Sequence, residues 1–335
     1  MMKLLLSVKD LKMYYKTKMG YVKAVDGINF DLDAGESLGI VGESGCGKTS
    51  ISMTVLRLLP DNAEFKAGKV LFDMGNGPVD LVSLPESEMR KYRWRGVSMI
   101  FQAAMNSLNP VYRVGDQIVE AIQNHYPEVP VDKAREKVAQ LFELVGLDPS
   151  RMDQYPHQYS GGMKQRAVIA MALSCDPRVI IADEPTTALD VIVQDRILKE
   201  IRIIQKKLNM AMIYISHDIA VIAEVSDKIA VMYAGKFAEL ADSVTIFKRP
   251  MHPYTYGLMH AFPSTVGEKT DLVTIPGEPP NLLNPPKGCR FAPRCPKADK
   301  KCENEEPLYV EIEKGHFVAC HHPVQPGEVV QFYAE

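Results

Sequence analysis

The eight residues Gly42 to Thr49, GESGCGKT, fit the pattern G-x-x-x-x-G-K-[ST]. Its glycines let a backbone wrap a phosphate while successive N–H groups point inward at the mouth of a helix. Lys48 then reaches the β- and γ-phosphates of a nucleotide, and the Thr49 hydroxyl ligates Mg²⁺. A second constellation suits the same chemistry. Val179 to Glu184, VIIADE, is an apolar run ending in two carboxylates. Asp183 suits a magnesium site, and Glu184 stands where a carboxylate would orient or activate a water in line with the γ-phosphate. The third is YSGGMKQR, Tyr159 to Arg166. Ser160 suits an N-cap, and Gly161 and Gly162 leave backbone N–H groups open to an anion at a positive helix end. The bland readings are a chance Gly-rich turn, solvated acids at a strand end and an ordinary capped helix. The strand before the first loop and the helix after it count against chance. Because one loop already cradles the chain's own phosphates, a second anion-ready helix end implies a nucleotide supplied by a partner.

Short apolar strands have to position these groups. Leu4 to Leu11 and Ile28 to Leu32 read as strands either side of a turn-like stretch, and Ser37 to Val41 (SLGIV) runs straight into the phosphate loop, with a helix over Ser50 to Leu59. Val97 to Phe101 is another buried-type strand. From Val114 to Leu173 the pattern is helical, with apolar residues at three-four spacing through Val114, Ile118, Ala121 and Ile122, and again through Val138, Leu141, Phe142 and Val145. Val179 to Ala182, a helix over Val191 to Leu208 and Met212 to Ile215 make a further strand-helix-strand unit. The expected fold class is α/β, a mostly parallel sheet into which a helical block is inserted. Pro276 to Pro296 is heavy in Pro and Gly, which forbids long helices and central strands, so an irregular appendix is expected there.

A chain of 335 residues that is 46 % hydrophobic and 24 % charged has material for a real core. With a net charge of −3 and no run of like charges, nothing points to nucleic acid. No apolar run approaches bilayer length, and Met1 to Leu6 is too brief for a signal peptide, so the chain is read as cytosolic. Stable disulfides are rare in that compartment. Cys289, Cys295, Cys302 and Cys320, spaced C-x5-C-x6-C-x17-C, therefore suggest a metal. Four thiolates suit either structural zinc or an iron–sulfur cluster, and the spacing leaves both open.

With phosphate loop, signature and acidic strand in this order across roughly the first 250 residues, the chain resembles an ABC-transporter ATPase. The resemblance implies a P-loop NTPase ABC cassette over residues 1–250, with an N-terminal antiparallel β subdomain and a helical subdomain inserted at about 103–178, and a C-terminal extension over 251–335. It implies an ATPase. ATP contacts fall to Gly42, Glu43, Ser44, Gly45, Cys46, Gly47, Lys48, Thr49 and Ser50, to Gln102 at the end of SMIFQ, and to Ser160, Gly161 and Gly162. Magnesium falls to Thr49, Gln102 and Asp183, and catalysis to Glu184 and to His217 in ISHD. Ala188-Leu189-Asp190 matches the loop that contacts the opposite cassette. Tyr15 fits the aromatic that stacks on adenine, with Tyr14 and Tyr21 open. Cys46 replaces a frequent serine, and Tyr159 and Met163 depart from the commonest signature, without removing an anion-binding amide.

FQAAMNSLNPVYRVG from Phe101, MHPYT from Met251 and IPGEPPNLLNPPKGCRFAPRCPKADKKC from Ile275 resemble the ATPases of dipeptide and oligopeptide importers. That resemblance implies a [4Fe–4S] cluster on the four tail cysteines, zinc being the alternative. It implies a second ABC ATPase subunit, a paralogue in preference to a copy of itself, two multi-span permease subunits and, indirectly, an extracytoplasmic solute-binding protein. It places the chain peripherally on the cytoplasmic face of the cell membrane. Peptide, nickel and oligosaccharide remain open as solutes; a non-transport ABC ATPase and a nucleotide-binding regulatory module are the competing readings. The cluster is expected to pin the tail, and its loss to leave ATP binding at Lys48 largely unaffected.

Overall fold

The computed structural model of the chain describes residues 3–102, 107–186, 189–261 and 274–332. In chain order the elements begin with β1 (Leu4–Thr17), β2 (Gly20–Asp33), β3 (Ser37–Val41), α1 (Lys48–Val55), β4 (Ala63–Asp73), β5 (Pro78–Asp80), α2 (Glu86–Tyr92) and β6 (Val97–Ile100). Next come α3 (Val114–His125), α4 (Val131–Leu144), α5 (Gly161–Leu173), β7 (Val179–Asp183), α6 (Val191–Leu208) and β8 (Ala211–Ser216). The last part holds α7 (Ile219–Val225), β9 (Lys228–Tyr233), β10 (Lys236–Asp242), α8 (Ser243–Lys248), α9 (Pro253–His260), α10 (Lys300–Asn304), β11 (Val310–Glu313) and β12 (His316–Val318). Contacts divide the chain into two units: Met1–Ser7, Asp31–Ser37 and Val70–Ile215 form one, and Val8–Phe30, Leu38–Lys69 and Ser216–Glu335 the other.

In the first unit β6, β7 and β8 are parallel neighbours, with Val97 opposite Val179 and Ala182 opposite Tyr214. All five residues of β7 are buried, as a parallel strand covered on both faces requires. Between β6 and β7 the chain builds α3, α4 and α5, which pack on one another. The buried residues Val114, Ile118, Val119 and Ile122 of α3, and Ala134, Val138, Leu141 and Phe142 of α4, keep the three-four spacing read from the sequence. The helix expected over Val191 to Leu208 forms over those residues, starting under an Asp190 cap and ending at a left-handed Asn209.

In the second unit β3 runs parallel to β9, with Ile40 opposite Ala230. The chain reverses at Ala234 and Gly235, both at positive φ, into antiparallel β10. β12 then pairs with β10, Leu240 opposite Phe317, and β11 pairs with β12. The tail thus contributes strands as well as the irregular Pro-rich stretch. β1 and β2 are each 14 residues long, so the stretch expected to be turn-like is mostly a hairpin closing at Lys18 and Met19. Burial alternates over Asp26–Leu32 of β2, whereas Leu5–Val8 of β1 form a continuous buried run, and no local signal marks the cross-strand pairing. The helix after the phosphate loop stops at Val55, short of Leu59, because Arg57 turns left-handed at φ 52°.

β10 carries the fully buried Glu239. Its Oε1 accepts hydrogen bonds from Met251 N at 2.8 Å and His316 Nε2 at 2.7 Å, and its Oε2 accepts from His252 N at 2.8 Å. Burial pushes His252 down to about 4, so that imidazole stays neutral. One carboxylate thereby ties β10, β12 and the start of α9 together. Removing it would orphan two amides and an imidazole at once. Glu239→Ala is expected to lower the unfolding free energy by about 3 kcal/mol, with Glu239→Gln less severe, as read from urea midpoints. A midpoint shift within experimental error for Glu239→Ala would discard this tie.

Candidate nucleotide site and cysteine cluster

The phosphate loop belongs to the second unit and joins β3 to α1. Two of its glycines are there because backbone presses on backbone. A Cβ on Gly42 would lie 2.1 Å from Met232 O, and one on Gly47 would lie 2.0 Å from Ala24 O. Gly45 differs, with open space around it and a left-handed φ of 79°. Lys48 is buried, and its Nζ donates to Gly42 O at 2.7 Å and Glu43 O at 3.0 Å. Ser44, Gly45 and Thr49 are exposed, whereas Cys46 is buried, and burial raises its thiol above the ordinary range. The Glu43 amide is committed: its N–H donates to Tyr254 Oη at 3.1 Å, so it cannot serve a phosphate.

Of the three candidate tyrosines, Tyr15 alone reaches the helix behind the loop, its hydroxyl 3.1 Å from Ser50 Oγ. Tyr14 donates to Asp26 Oδ1 at 2.6 Å, and burial beside that carboxylate raises its own ionisation. Tyr21 binds Glu64 through its hydroxyl and carries Lys66 Nζ 3.8 Å above its ring. His217 is exposed just beyond β8 and precedes Asp218, which caps α7 through Ala220 N and Val221 N.

The first unit holds the acids and the signature. Asp183 ends β7 and is 2 % exposed. Glu184, half-buried, follows at φ 46°, a conformation costly for a residue with a side chain. It is held there by its N–H to Ile215 O at 2.8 Å, and its Oε2 accepts from Gln102 Nε2 at 2.7 Å. The structure therefore brings two predicted residues, 82 apart in sequence, into direct contact. Ser160 caps the 13-residue α5 by accepting from Met163 N at 3.3 Å, leaving Gly161 and Gly162 in its first turn. Asp190 caps α6 by accepting from Val193 N at 2.9 Å, and Gly162 lies against Val193. Two helix N-termini thus start side by side, next to Val191 and Ile192, each 82 % exposed. Ala188, also expected in this loop, lies outside the described residues.

The four tail cysteines line one small cavity together with His252, Phe291 and His322. Burial, and proximity to neighbouring thiols, push Cys295 and Cys320 up to about 12 and raise Cys289, while burial and the Asp299 carboxylate raise Cys302. Backbone N–H groups point at the sulfurs: Phe291 and Ala292 at Cys289, Lys297 at Cys295, and His322 at Cys320 at 3.4 Å. Four convergent thiols in a dry pocket, with amide donors ready for thiolates, are a donor set that fits a thiolate-bound metal centre, because a cation reverses the penalty that burial imposes. Asp299, Cys302 and His322 also place one ligand atom each within 4.8 Å of one another. Asp299 is held down to about 2 by the Cys302 amide and its His322 partner at 2.9 Å.

Sequence reading missed Arg294, Tyr254, Asp299, His322 and Glu239. The only local signal was an arginine or acid close to a cysteine, and its partners are up to 251 residues distant.

Residues 25–187 match the family model for ABC transporter, and residues 238–302 match the one for Oligopeptide/dipeptide transporter, C-terminal region. The chain is 45 % identical to the oligopeptide transport ATP-binding protein OppD of Bacillus subtilis, over 98 % of this chain and 93 % of that one. It is 46 % identical to the dipeptide transport ATP-binding protein DppD of the same organism, over 95 % of each. Among solved structures, a dimeric post-hydrolysis ATP-binding cassette, MJ0796 bound to ADP and Pi, superposes with a TM-score of 0.62 at 23 % identity, covering 71 % of this chain and 98 % of that one. CbiO1 of Clostridium perfringens, part of the ABC transporter complex cbiONQ, gives 0.61 at 27 % identity, covering 74 % and 92 %. The fold is the α/β ABC cassette of the P-loop NTPases.

The two kinds of loop glycine are separable. Gly45→Ala pays only for its left-handed backbone, about 1 kcal/mol, and is expected to weaken binding of a fluorescent ATP analogue roughly fivefold. Gly47→Ala collides with the Ala24 carbonyl and is expected to abolish binding at the same concentrations. Equal affinities for the two variants in the titration would contradict the packing account of Gly47.

Proposed function

Because this chain belongs to the ABC-transporter ATP-binding subunits of the oligopeptide/dipeptide family, ATPases that act with permease and companion ATPase subunits, we propose that it couples Mg-ATP binding and hydrolysis to the uptake of di- or oligopeptides. The observation that carries the peptide reading is the match of residues 238–302 to the oligopeptide/dipeptide C-terminal region, beyond the residues 25–187 that match the ABC-transporter model. Residues 1–250 would be the nucleotide-binding part, with its helical portion at about 103–178, and 251–335 the extension.

In this reading Lys48 and the loop amides, the Glu43 N–H excepted, hold the β- and γ-phosphates, and Tyr15 faces the adenine. Thr49, Asp183 and Gln102 offer the hard oxygen donors that suit magnesium, whose chemistry is to neutralise charge developing between the β- and γ-phosphates. Glu184 accepts a hydrogen bond from the attacking water and orients it in line, with Gln102 steering the carboxylate and His217 meeting the γ-phosphate. Ser160, Gly161 and Gly162 cap the nucleotide of a second cassette, a paralogue in preference to a copy, while Asp190 abuts it. The exposed Val191 and Ile192 beside both helix ends support such a covered surface. The exposed apolar residues Phe101, Val111 and Tyr112 support contact with two permease subunits on the cytoplasmic face of the membrane, and through them with an extracytoplasmic solute-binding protein. No helix among the described residues is long and apolar enough to cross the membrane.

The four cysteines would hold a [4Fe–4S] cluster, which supplies cross-links to a Pro-rich stretch poor in regular structure. The thiols and the amides aimed at them are the residues that hold and orient it. Zinc is the competing occupant, and metal content separates the two. Chain purified without oxygen is expected to be brown, with about four irons; a colourless preparation with about one zinc per chain would assign zinc instead.

Two substitutions test the transport mechanism in membranes carrying the permeases and companion cassette. Glu184→Gln is expected to bind ATP normally and to lose at least 99 % of hydrolysis and labelled-peptide uptake, on the scale of a lost catalytic base at roughly a hundredfold or more. Ser160→Arg is expected to keep ATP binding in the isolated chain yet stop uptake. Full hydrolysis in Glu184→Gln would remove Glu184 from the base role, and ATP binding lost in isolated Ser160→Arg would place the signature on its own nucleotide.

A further inference from the structure

The nucleotide loop contains a carboxylate, Glu43, one residue into a cradle that must accept a highly negative polyphosphate. The second unit gives that charge a specific destination. Arg294 meets it with both arms, Nη1 to Oε2 at 2.9 Å and Nη2 to Oε1 at 3.1 Å. The Arg294 side chain is 6 % exposed, with its Nε donating to Pro276 O at 2.8 Å and Nη1 to Tyr233 Oη at 3.2 Å. Its guanidinium also lies 5.7 Å from the Tyr233 ring centroid. A guanidinium fixed this way is a preformed fork for a carboxylate. The rest of Glu43 is equally occupied, the amide by Tyr254 Oη and the carbonyl by Lys48 Nζ. Tyr254 is itself fully buried against Tyr233 and Phe291, with ring centroids 4.6 and 5.3 Å away.

We propose that Arg294 is a positioning residue for ATP binding: it draws the Glu43 carboxylate out of the phosphate cradle, neutralises it, and so sets the shape and charge of the loop from within the cysteine-bearing tail. The inference rests on Gly42 to Thr49 being the ATP loop. Without Arg294, an unneutralised carboxylate would sit a few bonds from amides that must attract phosphate, and repulsion through a partly buried path is felt strongly. The tail grips the residue whose carbonyl Lys48 touches. Arg290, beside Cys289, makes a comparable buried contact to Asp26 Oδ2 and Ala234 O but does not touch Glu43. It is the natural control.

The test measures fluorescent-ATP affinity in the full chain, and ATP KM and kcat in the assembled transporter. Arg294→Met keeps the apolar stem and is expected to weaken ATP binding about tenfold, seen as a raised KM with kcat changed less than about twofold. Arg294→Lys, which keeps the charge and loses the fork, should fall between. Glu43→Gln removes the charge that Arg294 neutralises, and in Arg294→Met it should restore most of the lost affinity. Arg290→Met should show no rescue by Glu43→Gln. Wild-type affinity in Arg294→Met, or a double variant as weak as Arg294→Met alone, would overturn the proposal. If Arg294→Met does not fold, Arg294→Lys carries the test, and wild-type affinity in that variant would overturn the proposal. Lys48→Ala with unchanged ATP affinity would instead strike the loop assignment itself, which separates the two failures.

Discussion

A loop binds polyphosphate only if several backbone amides converge on one point, and convergence needs the chain to travel closer to its neighbours than a side chain permits. Gly42 against the Met232 carbonyl and Gly47 against the Ala24 carbonyl meet that need by removing Cβ where backbone meets backbone. The parallel pairing of β3 with β9 fixes where the loop starts, and the β9–β10 turn supports it: Gly235 N donates to Cys46 O at 2.8 Å, and Asp26 N to Gly235 O at 2.9 Å. The cradle is therefore a product of sheet geometry as much as of its own residues.

Glu184, proposed as the catalytic carboxylate, depends on a comparable constraint. β7 ends with Asp183 buried and Glu184 forced to positive φ, a conformation that persists because the amide is tied to β8 and the carboxylate to Gln102. Placing a strained residue at the end of a buried parallel strand presents its side chain without loosening the sheet. Gln102 bonds this carboxylate directly, from the residue after the exposed Phe101.

The tail combines two kinds of attachment. Glu239 fastens β12 and the start of α9 to β10 through a buried carboxylate, and the arginines beside Cys289 and Cys295 reach Asp26 and Glu43. A Pro-rich stretch with so little regular structure keeps its conformation through such specific polar contacts. That the same stretch carries both metal-ligand candidates and the partner of a phosphate-loop residue makes it part of the nucleotide machinery's support.

The sequence by itself determined the chemistry. GESGCGKT, VIIADE and YSGGMKQR act through local backbone geometry, and their strand-loop-helix settings are written in adjacent residues, so the loop, the acids and the cap at Ser160 were legible. The helices α3, α4 and α6 were legible for the same reason, a three-four apolar period. What only the tertiary structure decided were the pairings between distant segments. The long hairpin of β1 and β2, the addition of β12 to β10, the contact of Gln102 with Glu184, the contact of Tyr15 with Ser50, and the commitment of the Glu43 amide and carboxylate to Tyr254 and Arg294 leave no periodic signal. Each is a hydrogen bond or close approach between residues whose types are common anywhere on a protein surface, and it becomes specific only when the fold removes water and brings the two partners together.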